Sequence, residues 1–106
     1  MATKKTAKRK QATPKEVPVL IGTETYNLWF GYATDTTGAN VTLKRARQVI
    51  YWSADVKGAG GLAVTGPSAT CRIGAAVPEV EARRVSTVML LTPAAVAAFE
   101  AAPWGR

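Results

Sequence analysis

Three apolar segments separated by polar clusters open the structured part of the chain. They cover residues 17–22, 26–33 and 40–52, and each is rich in β-branched or aromatic side chains, which is typical of β-strands. The turn-forming residues Asp35–Asn40 separate the second segment from the third. This arrangement predicts a β-hairpin over residues 26–52.

The third segment is too long for one regular strand. Val41 and Leu43 alternate onto one face, whereas Val49–Trp52 form an unbroken apolar run. A bulge or bend near Arg45–Arg47 would reconcile the two halves, because an extra residue restores the register of the apolar positions.

Residues 53–70 are rich in glycine and include a Gly66-Pro67 pair, which marks a sharp turn. The pattern predicts a loop, and the only helix it allows is a single turn at Leu62–Thr65. A short strand at Cys71–Ile73 follows. A longer strand at about Val80–Leu91 has apolar residues on both faces near its end, as in the centre of a sheet.

The C-terminal segment predicts a short helix with recognisable ends. Thr92 is a suitable N-cap, Pro93 suits the first helical position, and Ala94–Ala102 is strongly helix-forming up to Pro103. We expect this helix to pack on the sheet, with Trp104 closing over the sheet edge.

These elements predict a mainly β, α+β fold. We expect a small antiparallel sheet or partly closed barrel of about five strands, with a short C-terminal helix and a disordered N-terminal arm. The arm would cover residues 1–15, and a single domain residues 16–106. A core this small often gains burial by self-association, so a homo-oligomer is expected.

The charge is concentrated in the arm. The chain of 106 residues has a net charge of +7, yet the part after residue 15 carries eight basic and seven acidic side chains. The arm contains no Val, Ile, Leu or aromatic residue, so it lacks the apolar surface that ordering requires. It is interpreted as a solubilising tail, a polyanion-binding segment or a partner-docking or targeting peptide. Its basic residues are Lys4, Lys5, Lys8, Arg9, Lys10 and Lys15.

The composition argues against an enzyme. The chain has no histidine, which removes the Ser-His and Cys-His nucleophile arrangements and the usual zinc and non-haem iron ligand sets. Cys71 is the only cysteine and is expected to be a buried core thiol in a reducing cytoplasm. Glu79 and Glu81 are a candidate acid and base pair, with an exposed, charge-paired strand start as the alternative. No cofactor, metal or membrane span is expected.

A basic and aromatic cluster supplies the candidate binding residues. Arginine planes and aromatic rings are the surfaces on which nucleotide bases stack, although the same residues could be core and interface residues with paired arginines. The glycine-rich stretch 55–61 suggests a phosphate contact, with a plain flexible connection as the alternative. The candidate ligand-binding residues are Arg45, Arg47, Tyr51, Trp52, Lys57 and Arg72.

Residues 17–104 resemble a family of small proteins of tailed bacteriophages and prophages. The resemblance rests mainly on Phe30-Gly31, Tyr51-Trp52, Gly66-Pro67, Cys71–Gly74 and Pro103-Trp104. It implies a phage protein that acts in the host cytoplasm during infection or resides in the virion. It transfers no catalytic or binding residue to this chain.

Two hypotheses of function follow. The first is a non-catalytic phage protein that binds a host macromolecule or a nucleotide ligand, as a host-takeover or counter-defence factor. Its partners would be a second copy of itself, a host protein or nucleotide signal, and nucleic acid through the arm. The alternative is an accessory protein of the virion head or tail, whose basic arm contacts neighbouring subunits or packaged DNA.

Overall fold

The computed structural model describes residues 15–104, so the predicted disordered arm lies outside the described residues except for Lys15. Within that range the chain forms six strands and two α-helices. Along the chain these are β1 (Val17–Thr23), β2 (Leu28–Ala33), β3 (Val41–Tyr51), a 3-10 helix (Ala54–Val56), α1 (Gly58–Thr65), β4 (Arg72–Ile73), β5 (Val77–Ala82), β6 (Val85–Leu90) and α2 (Pro93–Ala101).

The strands form one antiparallel sheet in the order β4-β3-β2-β1-β6, and β5 also pairs with β3. Strand β3 pairs with both β5 and β4: β5 lies along residues 41–46, and β4 lies along residues 49–51. The predicted small antiparallel sheet with a C-terminal helix is confirmed. The sheet has six strands, and of the two predicted forms it is the open sheet and not the partly closed barrel.

The sheet is strongly curled at the corner between β5 and β6. These strands lie at opposite edges of the sheet, although only Arg83 and Arg84 separate them in sequence. In a flat sheet four spacings of about 4.8 Å would divide the two edges, whereas two linking residues span only about 10 Å. The predicted single strand Val80–Leu91 is therefore wrong, and β6 is an edge strand rather than a central one. Arg84 makes the corner with a φ of 56°.

The predicted bulge in β3 is confirmed, as is the hairpin that β2 and β3 form. Phe30 is opposite Arg47 whereas Tyr32 is opposite Lys44, so β3 contains one extra residue between these pairs. Arg45, which lies in this bulge, adopts a left-handed conformation with a φ of 50°.

Both faces of the sheet are buried. On one face the two helices cover a core that contains Leu20, Phe30 and Phe99, and the rings of Phe30 and Phe99 stack 4.7 Å apart. The concave face encloses a second core that includes Val19 and Ile21. Neighbouring residues of β1 thus enter different cores, because side chains alternate along a strand.

The predicted loop 53–70 is wrong in part, because it contains the 3-10 helix and α1. Leu62 and Ala63 of α1 are buried against the sheet, and this burial offsets the low helix propensity of glycine. Gly61 is required for close packing, since a Cβ there would lie 1.6 Å from the carbonyl oxygen of Val56.

Helix α2 begins as predicted. The Thr92 hydroxyl accepts a hydrogen bond from the amide of Ala95 at 3.1 Å. The helix packs against the end of α1 at Gly66, where a Cβ would lie 2.5 Å from the Cβ of Ala98. After the helix, Trp104 pairs with Ile73 at the β4 edge of the sheet.

Candidate functional site

The six residues predicted to bind a ligand do not line one pocket. Arg45 and Arg47 share a small cleft with Tyr32 and Glu100. The others lie elsewhere: Tyr51 faces Arg72 across β3 and β4, Trp52 lies beside the turn between β1 and β2, and Lys57 precedes α1.

Arg47 is buried and holds structural elements together. Its side chain donates to the carbonyl oxygens of Gly74 at 2.8 Å, Phe99 at 2.7 Å and Ala102 at 2.7 Å. Burial lowers the pKa of the guanidinium, although the ordinary value is so high that the group stays charged. Because these bonds tie β3 to the end of α2, the local role of Arg47 is to satisfy carbonyls that the helix leaves unpaired.

Arg45 is also engaged within the molecule. It forms an ion pair with Glu16 at 2.7 Å, and its guanidinium carbon lies 4.2 Å from the centre of the Tyr32 ring. The Tyr32 hydroxyl donates to the Glu100 carboxylate. Burial, together with that hydrogen bond and the negative charge of Glu100, raises the pKa of Tyr32 to about 12.

The remaining candidates are exposed but separate. Tyr51 and Arg72 lie together at the outer end of β3 and β4, with Tyr51 51% exposed. Lys57 is exposed with a φ of 66° and leads into α1. Of the basic residues of the arm, only Lys15 is described, and it is exposed. The other five, at positions 4, 5, 8, 9 and 10, lie outside the described residues.

The two carboxylates considered for catalysis form ion pairs on the exposed strand β5. Glu79 pairs with Lys44 at 2.6 Å, and Glu81 pairs with Arg83 at 3.6 Å. Such an arrangement is the one expected of a charge-paired strand, and these exposed pairs contribute little to stability.

Cys71 is half-buried and packs at the margin of the helix-side core. Its sulfur lies 3.9 Å from the Ser53 hydroxyl and 3.6 Å from the Ser68 hydroxyl. Burial raises the pKa of the thiol, but hydrogen bonds with these two serines outweigh it and place the pKa below its ordinary value. The thiol was predicted to be buried, and it is only half-buried.

A hydrogen-bonded turn between β1 and β2 lies between two surface clefts. The Thr23 amide donates to the carbonyl of Asn27 at 3.0 Å, and the Asn27 side chain donates to the Thr25 hydroxyl at 3.0 Å. The amide of Glu24 donates to the carbonyl of Arg84 at 2.9 Å, which fastens the turn to the corner between β5 and β6.

Tyr26 stands at the tip of this turn with an unusual backbone. Its φ is 67°, a left-handed conformation that is uncommon for a bulky residue, and its side chain is 96% exposed. A large aromatic ring held outwards by a strained turn is the kind of outlier that concentrates at binding sites.

An aromatic cleft of about 500 Å³ opens on the helix side of the turn. Tyr26 and Trp52 supply its aromatic surfaces, and Leu28 and Met89 supply apolar ones. Hydroxyl groups, the amide of Asn27 and the carboxylate of Glu24 stand at its margin. The polar margin consists of Thr23, Glu24, Asn27, Ser86 and Thr87.

An arginine cleft of about 430 Å³ opens on the other side of the same turn. Its lining includes Trp29, Arg83, Arg84 and the carboxylate of Glu81, and it shares Thr23 and Asn27 with the aromatic cleft. Arg83 pairs with a carboxylate of β5, whereas Arg84 makes no ion pair within the described part of the chain. The arrangement offers an aromatic face and positive charge to an anionic planar ligand.

Of the six residues predicted from the sequence to bind a ligand, only Trp52 lines either of these clefts. Trp29 and Arg84 are far apart in sequence, and they meet because the sheet curls at the Arg83–Arg84 corner. The one local signal was the pair of adjacent arginines inside an otherwise apolar strand pattern, which marks a break rather than a regular strand.

Two further features bear on the site. Within residues 15–104, no three histidine, cysteine or carboxylate side chains come close enough together to hold a metal ion. Neither helix in that range has the length and apolar character needed to cross a membrane.

The fold and the site define a small α+β protein with an open, curled antiparallel sheet and paired surface clefts. Residues 16–99 match the family described as a domain of unknown function, DUF6948, and the chain belongs to that family. Neither a curated protein nor a solved structure matches the chain.

Proposed function

We propose that this protein is a non-catalytic binding protein for single-stranded nucleic acid, with a nucleotide as the smallest ligand. The observation that carries the proposal is that the aromatic and arginine clefts adjoin at one hydrogen-bonded turn. Proteins that hold single strands combine aromatic faces for the bases with positive charge for the backbone.

The aromatic cleft supplies the base-stacking part. Tyr26 is almost fully exposed and Trp52 is half-buried, so both rings present surface without unfolding of the core. The hydroxyl and amide groups at the cleft margin provide hydrogen-bond partners for base edges. Stacking contributes about 1–3 kcal/mol per base and tolerates many sequences.

The arginine cleft supplies the phosphate-binding part. The Arg84 guanidinium is the stronger candidate, because Arg83 already contacts Glu81. The basic arm adds attraction that depends on charge and not on sequence. Binding through these charges weakens as the salt concentration rises, whereas stacking in the aromatic cleft does not, so the two contributions can be separated in one experiment.

The proposal includes the setting that the sequence resemblance implies. The protein would act as a phage protein in the host cytoplasm, where it binds nucleic acid of the host or the phage as a host-takeover or counter-defence factor. Mass spectrometry of purified particles tests this setting, since abundant protein in the virion would favour a structural role instead.

The test measures binding of a fluorescent single-stranded oligonucleotide by anisotropy. Tyr26→Asn keeps a residue that tolerates the left-handed backbone, and Trp52→Leu keeps apolar packing; each should weaken binding about 5- to 150-fold. Arg84→Gln should weaken binding and reduce the salt slope by about 1. Matched controls are Tyr51→Asn and Arg72→Gln, which change an exposed tyrosine and arginine outside both clefts.

The results distinguish binding by the two clefts from binding by the β3–β4 end or by the arm. Equal loss in the controls and the cleft variants would move the site to the β3–β4 end. Deletion of residues 2–15 should reduce the dependence of log affinity on log salt by about 4–5, from roughly 0.7–0.9 per neutralised phosphate. The stacking contribution of the aromatic cleft should persist at high salt. No binding of the full-length protein at low salt would refute the proposal.

A further inference from the structure

Strand β6 leaves an edge of the sheet open. One side of β6 pairs with β1, and within residues 15–104 no strand pairs with the other side. The amide of Val85, the first residue of β6, donates to the carbonyl of Ala39 at 2.8 Å, so the free part of this edge is Ser86–Leu90. The strand reads VSTVML, with no charged residue and no proline. Val88 is 37% exposed and Leu90 is 74% exposed. An uncharged apolar edge of this kind is a ready template for another strand.

The other edges are protected, which makes β6 the exception. Strand β5 carries Pro78, Glu79 and Glu81 along six residues, and β4 contains only two residues. Proline, charge and short length are the devices that prevent edge-to-edge pairing. The edges at β4 and β5 have such protection and β6 has none, which indicates that another strand covers β6.

The exposed apolar side chains near this edge share one face. Val88 is opposite Ile21 and Leu90 is opposite Val19, so both lie on the concave face. Val17, which is 41% exposed, alternates onto the same face as Val19. The edge is therefore bordered by a continuous apolar patch.

The segments outside the described residues do not suit this edge. Residues 1–14 contain no Val, Ile, Leu or aromatic side chain to cover the patch and carry five of the basic residues, and residues 105–106 are only Gly-Arg. A second β6 has the complementary properties: it is uncharged, it is equally long, and it brings its own exposed valine and leucine.

We propose that two copies of this chain pair through β6, antiparallel about a twofold axis at Val88. The axis must be perpendicular to the sheet, so each residue faces one of the same parity and both faces are preserved. Val88 meets its own copy, Thr87 meets Met89, and Ser86 meets Leu90. The six-stranded sheets then continue into one sheet.

Dimerisation would join the two aromatic clefts. Ser86, Thr87 and Met89 line the cleft of each copy, and the twofold axis keeps both clefts on one face of the joined sheet. This consequence rests on the proposed function, whereas the dimer itself does not. A joined pair of clefts would hold a longer single strand than one copy does.

Light scattering of the full-length protein without ligand tests the dimer. The wild type should have twice the mass of one chain, and Val88→Lys should have the mass of one chain, because two ammonium groups would meet on the axis. Val77→Lys is the matched control, since Val77 is an edge-strand valine with 38% exposure, and it should remain a dimer. Circular dichroism checks that both variants fold.

A disulfide supplies a second measurement. In a Cys71→Ser background, Val88→Cys should cross-link on mild oxidation, because facing Cα atoms in an antiparallel pair lie about 4.5–5.5 Å apart. Val77→Cys should not. A wild type with the mass of one chain, or equal cross-linking at both positions, would overturn the proposal. A monomer that still binds oligonucleotide would overturn the dimer and leave the proposed function intact.

Discussion

Replacement of Arg47 by methionine tests the assignment of this buried arginine to structure. Methionine keeps an unbranched side chain of similar length, so the change mainly removes the charge and the three hydrogen bonds to carbonyl oxygens. Two of these bonds, to Gly74 and Phe99, are buried, and the third, to Ala102, is partly buried.

The expected loss follows from these contacts. A hydrogen bond from a charged donor contributes about 1.5–3 kcal/mol, and two buried bonds at the lower value give about 3 kcal/mol. The bond to Ala102 is only partly buried, so water can replace the guanidinium there and its loss should change the free energy of unfolding little. A domain of this size has a free energy of unfolding of only about 5–13 kcal/mol. The substitution should therefore remove a large part of the total stability.

Urea unfolding followed by circular dichroism provides the measurement. With a slope of about 1–1.5 kcal/mol per molar, Arg47→Met should lower the midpoint by about 2–3 M. Arg72→Met, at an exposed position on β4, should change the free energy of unfolding by less than about 0.5 kcal/mol. Equal stability of the two variants would refute the structural role and return Arg47 to the candidates for ligand binding.

Three further substitutions probe packing and ionisation. Gly66→Ala should destabilise the protein by about 2–4 kcal/mol in urea unfolding, because the residue has a φ of 78° and its Cβ would lie 2.5 Å from that of Ala98. Gly60→Ala in α1 meets open space and should instead stabilise by about 0.5–1 kcal/mol. Burial and the Glu100 carboxylate raise the pKa of Tyr32 from 10.0 to about 12, so its stabilising contribution is complete below pH 10 and is lost as the pH rises through about 12. Tyr32→Phe should therefore flatten the alkaline decline of the unfolding free energy measured between about pH 10 and 12.

Features that depend on neighbouring residues were predictable from the sequence. The hairpin over residues 26–52 follows from apolar runs around a polar turn, and the bulge near Arg45 follows from two apolar patterns out of phase. The Thr92 cap follows from its place before Pro93. Each of these rests on local backbone chemistry, which sequence patterns report directly.

Features that depend on distant contacts were not predictable. Glycine-rich sequence indicated a loop at residues 53–70, yet Gly61 is there because the carbonyl of Val56 approaches too closely for a side chain. Arg47 looked like a binding residue because aromatic residues follow it in sequence. Its partners are carbonyls of Gly74 and of the end of α2, and no local pattern connects them to position 47.

The corner at Arg83–Arg84 has three consequences that the apolar pattern of residues 80–91 concealed. It carries β6 to the edge of the sheet opposite β5, which leaves β6 open for a second copy. It brings both arginines beside Trp29, and it fastens the turn that separates the two clefts through the bond from Glu24 to Arg84. The proposed ligand site and the proposed dimer edge thus share one structural cause. Because both depend on this corner, a change that straightened it would remove the arginine cleft and the open edge together, whereas a change on β6 alone would remove only the edge.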